Sequence, residues 1–373
     1  MKLFEYEAKA LFKKEGIPVP EGIVIDDTIQ INEAVKQVGL PAVLKSQLLM
    51  GGRGKAGLIR IVNDIEEAKK EATKLFTSKY NVRKVLFEQA VSIEKEIYLS
   101  IMMDPVKAKA SVMACGEGGI DIEEIATNFP EKIVRENVDV NIGLMDYQAR
   151  NIAYSLGLEI DNAKKLSTII SSLYRVFKNN DAELVEINPL FISKSGNLLA
   201  GDGKISIDDN SIFRHEFKKT KDYFQNDIEY EAYNEGIPYV QFEGDISLMC
   251  AGAGLATTVY DLVNYAGGSV ANYLEFGGPN YKKAYKAMEL CLKNNSKVIL
   301  IVTFGTIARA DVMAEGIVDA INRLKPDRPI VTCIRGTNEE KGYEILKNAG
   351  LVPLMDTEDA VKKAVDISFG RSK

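Results

Sequence analysis

Apolar residues recur at Leu3, Phe4, Ala8, Leu11 and Phe12, the spacing of one helical face, before GIPVPEG breaks the pattern. The next segments read as a strand at Gly22–Ile25, a helix at Ile31–Val38 and a strand at Ala42–Lys45. Beyond the glycine-rich MGGRGKAG (50–57), the pattern predicts a strand at Leu58–Val62 and a helix from Asp64 to Phe76. Strands are then expected across 84–91, Glu96–Met103 and Ala108–Cys115, and helices near Gln148–Leu156 and Ala163–Phe177. The stretch Glu183–Lys204 reads as a hairpin: a strand Leu184–Ile187, a turn-prone SKSGN, and a strand Leu198–Ala200 running into Asp202.

After Lys204 the texture changes. A charged stretch leads through Gly-Ile-Pro to strands and helices in strict alternation. Strands are expected at Asp245–Cys250, Ser269–Leu274, Val298–Phe304, Ile330–Ile334 and Leu351–Leu354. Helices fall between and after them: one from Leu255, then Lys282–Lys293, Ala310–Leu324, Glu339–Ala349 and Thr357–Ile367. Such alternation builds a doubly wound parallel sheet, whose ligands bind at the carboxyl ends of strands. The expectation is an α/β chain of two domains: an α+β domain over 1–235, with a smaller subdomain around 21–100, then a parallel domain over 236–373.

Composition narrows the function. With 373 residues the chain is too long for one ordinary core. A net charge of −6 argues against a nucleic-acid binder, whose footprint is basic. No run of about 18 uncharged apolar residues is long enough to span a membrane, and charges run through the first residues where a signal peptide needs an apolar stretch. Cys115, Cys250, Cys291 and Cys333 lie far apart, which argues against a zinc site or a disulfide framework and favours a reducing cytoplasm. The sole histidine, His215, sits in a polar stretch and is assigned no role. Any mechanism needing several histidines from this chain is excluded.

Four patterns carry chemistry. Glu186, Asn188 and Asp202 close the ends of the hairpin strands, so hard oxygen donors converge there, too few for a calcium cage but suited to Mg²⁺ that keeps waters and nucleotide phosphates. Lys45 ends a buried strand, where a lysine needs an anion nearby. The glycine loop around Arg53 and Lys55 suits a phosphate chain, although it lacks the Walker A spacing. Glu88 and Glu96 end or open neighbouring strands and are candidate partners for ribose hydroxyls. In the second domain, glycine turns follow three strands, at 251–254, 275–279 and 304–309, each an exposed set of N–H groups at or near a helix start.

The motifs LFEYEAKALFKKEGIPVP, LKSQLLMGGRGKAG, FEQAVSIEKEIYLS, LVEINPLFISKSGNLLAGDGK and GAGLATTVYDLV, in that order and nearly end to end, resemble the succinyl-CoA synthetase β-subunit family. The resemblance implies an ATP-grasp domain followed by a flavodoxin-like CoA-ligase domain. It implies that Lys45, Gly52, Arg53 and Gly54 hold the nucleotide phosphates, that Glu88, Val91 and Glu96 line base and ribose, and that Asn188 and Asp202 hold Mg²⁺. Glu186 would contact the phosphohistidine loop of a separate α subunit, and Ala251, Thr306, Ile307 and Ala308 would bind the acid or phosphoryl group. ATP or ADP and CoA are the implied substrates, with an αβ or α2β2 assembly and succinate, malate or a related acid as the third. A stand-alone ATP-grasp ligase leaves the second domain unexplained. A non-catalytic nucleotide-binding subunit predicts damaged metal ligands, and Glu186, Asn188 and Asp202 are present. The departures cluster in the acid pocket: Ala251 where the family usually has Asn, Phe304-Gly305-Thr306 where it has Phe-Gly-Gly, and Glu275-Phe276-Gly277-Gly278-Pro279 where it has Asp-Val-Gly-Gly-Gly.

Overall fold

The computed structural model describes residues 1–119, 122–277, 283–305 and 308–371. The chain forms two compact units, Met1–Lys218 and Lys219–Lys373. The charged stretch after 218 thus goes with the second unit, where its helix packs on the first strand that follows.

The first unit opens with α1 (Glu5–Lys14), β1 (Gly22–Ile25), α2 (Ile31–Val38), β2 (Ala42–Ser46), β3 (Ile59–Val62), α3 (Ile65–Phe76) and β4 (Val85–Gln89). The strands form an antiparallel sheet in the order β1-β4-β2-β3. Ile31 and Ala34 of α2 and Ala68, Ala72 and Leu75 of α3 share its core with Leu44, Val62 and Phe87. Each large side chain fully buried there contributes about 1.5–3 kcal/mol. Asp64 starts α3 by accepting the Glu67 N–H at 2.8 Å, a side-chain cap for an otherwise orphaned donor.

There follow β5 (Ile93–Asp104), β6 (Lys109–Cys115), α4 (Ile122–Asn128), β7 (Ile133–Val138), α5 (Asp146–Ser155), α6 (Ile160–Asn179), β8 (Ala182–Ser193), β9 (Leu198–Ala200) and β10 (Lys204–Ile207). They build a second antiparallel sheet in the order β10-β8-β5-β6-β7, with β9 paired to β8. The hairpin exists, but its first strand is three times longer than its sequence pattern suggests. Leu190 and Ile192 keep the inward alternation beyond Pro189, so β8 continues to Ser193. One register runs through the whole hairpin, from Ile192 opposite Leu198 to Leu184 opposite Ser206. Asn188 therefore lies inside β8 rather than at its end, while Asp202 falls between β9 and β10. His215 is mostly covered, its Nε2 lying 2.6 Å from Asp181 beside Arg214, and it ties down the segment after β10.

The second unit contains α7 (Asp227–Asn234), β11 (Tyr239–Gln241), β12 (Ile246–Ala251), α8 (Ala253–Tyr265), β13 (Val270–Leu274), α9 (Ala284–Leu292), β14 (Val298–Gly305), α10 (Ala310–Leu324), β15 (Ile330–Gly336), α11 (Glu339–Asn348) and α12 (Thr357–Ser368). Its sheet runs β11-β13-β12-β14-β15, parallel except for β11. Helices α9, α10 and α11 cover one face and α8 and α12 the other. This is the doubly wound arrangement expected, with its switch point between β12 and β14. Leu351–Leu354, expected as a strand, is reduced to one bridge between Leu354 and Cys333.

Candidate active site

The elements of the first unit bring six charged side chains together. α1 contributes Glu5 and Lys9, β2 contributes Lys45, the glycine loop Arg53, β4 Glu88, and the segment after β9 Asp202. Glu5 Oε1 lies 3.0 Å from both Lys9 Nζ and Lys45 Nζ, and Glu5 Oε2 lies 2.8 Å from Arg53. Glu88 Oε2 meets Lys45 at 2.6 Å, and its other oxygen meets Lys9. Arg53 donates to both oxygens of Asp202, at 2.9 and 3.0 Å. Lys9 and Lys45 also donate to the Gly201 carbonyl, at 2.8 and 2.5 Å. Three cations thus face three carboxylates, and Glu5, Lys9, Lys45, Arg53 and Glu88 are all buried.

Burial alone raises the Glu5 carboxyl, but Lys45, Lys9 and Arg53 hold it well below the usual carboxylate range. Burial opposes the charge on Lys45, and Glu5, Glu88 and Asp202 more than restore it. Asp202 is pushed upward by burial and by the Glu5 charge. The anion that a buried Lys45 requires is therefore supplied by the protein itself. Glu88, expected against ribose, is 2% exposed and tied to two lysines. Glu5 and Lys9 escaped the sequence reading although a signal was present. They share the buried stripe of α1 with Ala8 and Phe12, and charges at core positions need partners.

Of the remaining expected residues, Gly52 and Gly54 accept turn hydrogen bonds from Ala56 and Gly57, which folds the loop that carries Arg53. Val91 is half-buried between β4 and β5. Glu96 and Asn188 are brought together by Gly119. Its N–H donates to Asn188 Oδ1 at 2.8 Å, and a Cβ at its left-handed backbone (φ 73°) would lie 2.2 Å from Glu96 Oε2. Burial raises the Glu96 carboxyl. Glu186 lies two residues back along β8 from Asn188, opposite Lys204, with 3.9 Å between their charges.

Among the described residues no three His, Cys, Asp or Glu side chains are grouped to hold a metal by themselves. The register instead places Asn188 opposite Asp202, with the Gly201 N–H donating to the Pro189 carbonyl beside them. An amide oxygen and a carboxylate are hard donors, and the pair fits Mg²⁺ that draws its other ligands from phosphates and water.

In the second unit, Ala251 ends β12 opposite Thr303 of β14, and Gly252 makes the turn into α8 at φ 113°. The Glu275 carboxylate accepts from the N–H groups of Gly252 and Gly277, while burial raises it. Phe276 N–H donates to the Cys250 carbonyl at 2.9 Å, so the ends of β12 and β13 are knitted together. Ala308 is half-buried ahead of α10, and Arg309 pairs with the buried Asp311 at 2.6 Å. Thr306, Ile307, Gly278 and Pro279 lie outside the described residues.

An antiparallel unit with a buried cluster of matched charges, followed by a doubly wound unit with glycine turns beside its switch point, is the two-domain architecture of an ATP-grasp and CoA-ligase chain. Residues 2–192 match the ATP-grasp domain family and residues 249–366 the CoA-ligase family. The chain is 56% identical, over the whole of both chains, to a subunit of an ADP-forming sulfoacetate-CoA ligase from Bilophila wadsworthia. It is 41% identical to the β subunit of an ADP-forming succinate–CoA ligase from Ignicoccus hospitalis, with 99% of each chain covered. ATP citrate lyase from Methanothrix soehngenii shares the fold, with a TM-score of 0.73, 19% identity and 99% of each chain covered. The chain belongs to the family of β subunits of ADP-forming acid–CoA ligases.

Proposed function

We propose that the chain is the nucleotide-binding half of a ligase that joins sulfoacetate to CoA while ATP becomes ADP and phosphate. The observation that carries the choice of acid is the full-length 56% identity to a sulfoacetate-CoA ligase subunit, against 41% to a succinate–CoA ligase. The residues that depart from the succinate pattern agree with it. Ala251 removes an amide that would donate to a carboxylate, and Thr306 adds a hydroxyl, both in the acid pocket. Polar pocket groups discriminate strongly between analogues that differ in one hydrogen-bonding group.

In this reading Lys45, Arg53 and the loop glycines Gly52 and Gly54 hold the nucleotide phosphates, while Val91 and Glu96 line base and ribose and the buried Glu88 stays with its lysines. Asn188 and Asp202 hold Mg²⁺, which when bound neutralises phosphate charge. Positioning and charge neutralisation are most of what phosphoryl transfer requires. The phosphoryl group passes to a histidine on an α subunit, which Glu186 faces, and then to the carboxylate of the acid. The CoA thiol displaces phosphate to give the thioester. We place this reaction in the cytoplasm, where the four free cysteines stay reduced, and in an αβ or α2β2 assembly.

The test is ADP release by the chain co-purified with an α subunit of the same family. We expect sustained release, beyond the single ADP per histidine that phosphorylation of the α subunit yields, to require the α subunit, CoA and sulfoacetate together. Release by this chain alone contradicts the two-chain relay, and release with succinate or malate but not sulfoacetate contradicts the choice of acid.

A further inference from the structure

The six-residue charge cluster has a property that the family roles of Lys45 and Arg53 do not account for. Both cations are already neutralised: Lys45 by Glu5 at 3.0 Å and Glu88 at 2.6 Å, Arg53 by Glu5 at 2.8 Å and by Asp202. A phosphate chain can take them only by displacing carboxylates. Separating a buried ion pair is costly when it leaves one charge without a partner. Glu5 and Glu88, 4% and 2% exposed, have little solvent to turn to.

Lys9 resolves the difficulty. It touches both carboxylates, lying 3.0 Å from Glu5 and in contact with Glu88. It comes from α1, one turn after Glu5, rather than from the strand end or glycine loop that carry the other two cations. A third contact, to the Gly201 carbonyl at 2.8 Å, fixes its position.

We propose that Glu5 and Glu88 are stand-in anions that hold Lys45 and Arg53 in place until phosphates replace them, and that Lys9 is the cation that keeps both carboxylates paired after the exchange. Glu5 and Lys9 are positioning residues in this scheme. The inference rests on the reading of Lys45 and Arg53 as phosphate ligands. Nucleotide binding is then an exchange of anions within a preformed basic site, and its affinity depends on how strongly the internal carboxylates compete.

The two new residues should act in opposite directions. Glu5→Gln leaves three cations facing two carboxylates and removes a competitor, so ADP should bind about tenfold tighter. Lys9→Met leaves Glu5 and Glu88 dependent on Lys45 and Arg53, so ADP should bind about tenfold weaker. The double variant restores the balance and should fall within about threefold of wild type. The measurement is calorimetric titration of ADP, at fixed Mg²⁺, into the full chain co-purified with its α subunit. Weakening by both single variants, with the double weaker still, is what a merely structural cluster gives, and it overturns the proposal. If Glu5→Gln does not fold, Glu5→Asp draws the carboxylate back from Arg53 and should shift affinity in the same direction by less; weaker binding overturns it. Lys45→Met separates the two readings. Unchanged ADP affinity there removes the phosphate site and the inference with it. A large loss there, with no tightening in Glu5→Gln, removes the inference alone.

Discussion

At the scale of single residues, burial decides what each charge can do. Lys45 and Arg53 keep their charge in a site with little water because Glu5, Glu88 and Asp202 stand within 3.0 Å of them. Glu186 differs in kind. Its carboxylate lies 3.9 Å from Lys204, a distance at which attraction is modest, and it is not one of the six clustered charges. Replacing Glu186 by Gln should therefore spare ADP binding while lowering acid-dependent turnover by about 100-fold or more, the usual worth of a placed carboxylate in proton or phosphoryl chemistry. Steady-state turnover and ADP titration on one preparation check it; an equal loss in both would make Glu186 part of the nucleotide site. Residues whose type and place both stood out, such as Lys45 at the end of an apolar strand, were legible in the sequence. Glu5 and Lys9 were harder to read, because a helix stripe looks apolar when Ala8 and Phe12 dominate it. The bond from the Gly252 N–H to Glu275 depends on β13 ending beside β12, which no local pattern encodes.

Elements were legible in proportion to their periodicity. The helices Ile31–Val38 and Ala310–Leu324 stand where the apolar spacing puts them, and the strands β12 to β15 follow their continuous apolar runs. β10, β11, β7 and α4 did not register, because short or edge elements bury few side chains and leave a weak alternation. The expected strand Leu184–Ile187 falls short of β8, which pairing on both sides of Pro189 carries on to Ser193. The proposed acid site assigns specificity to the turn between β12 and α8. Ala251→Asn restores an amide at the end of β12 without altering the Gly252 turn. It should raise kcat/KM for succinate relative to sulfoacetate by about tenfold or more, the scale of one added pocket hydrogen bond to a charged group. An unchanged ratio would place acid selection elsewhere.

For the whole molecule, each unit carries its own core and its own chemistry: the first a buried array of matched charges on antiparallel sheets, the second glycine turns on a parallel sheet. The chain supplies one histidine, held against Asp181 and outside both sites, so a phosphohistidine relay has to draw its histidine from another subunit. The acid is the part of the account on which the relatives divide, one being a sulfoacetate-CoA ligase subunit and another a succinate–CoA ligase β subunit. A competition assay addresses it directly. The complex with its α subunit is given ATP, CoA and equal concentrations of sulfoacetate and succinate, and the two CoA thioesters are quantified by mass spectrometry at early times. The account predicts sulfoacetyl-CoA in excess by about tenfold or more, a difference of roughly 1.4 kcal/mol or greater in transition-state binding. Succinyl-CoA as the main product would contradict it.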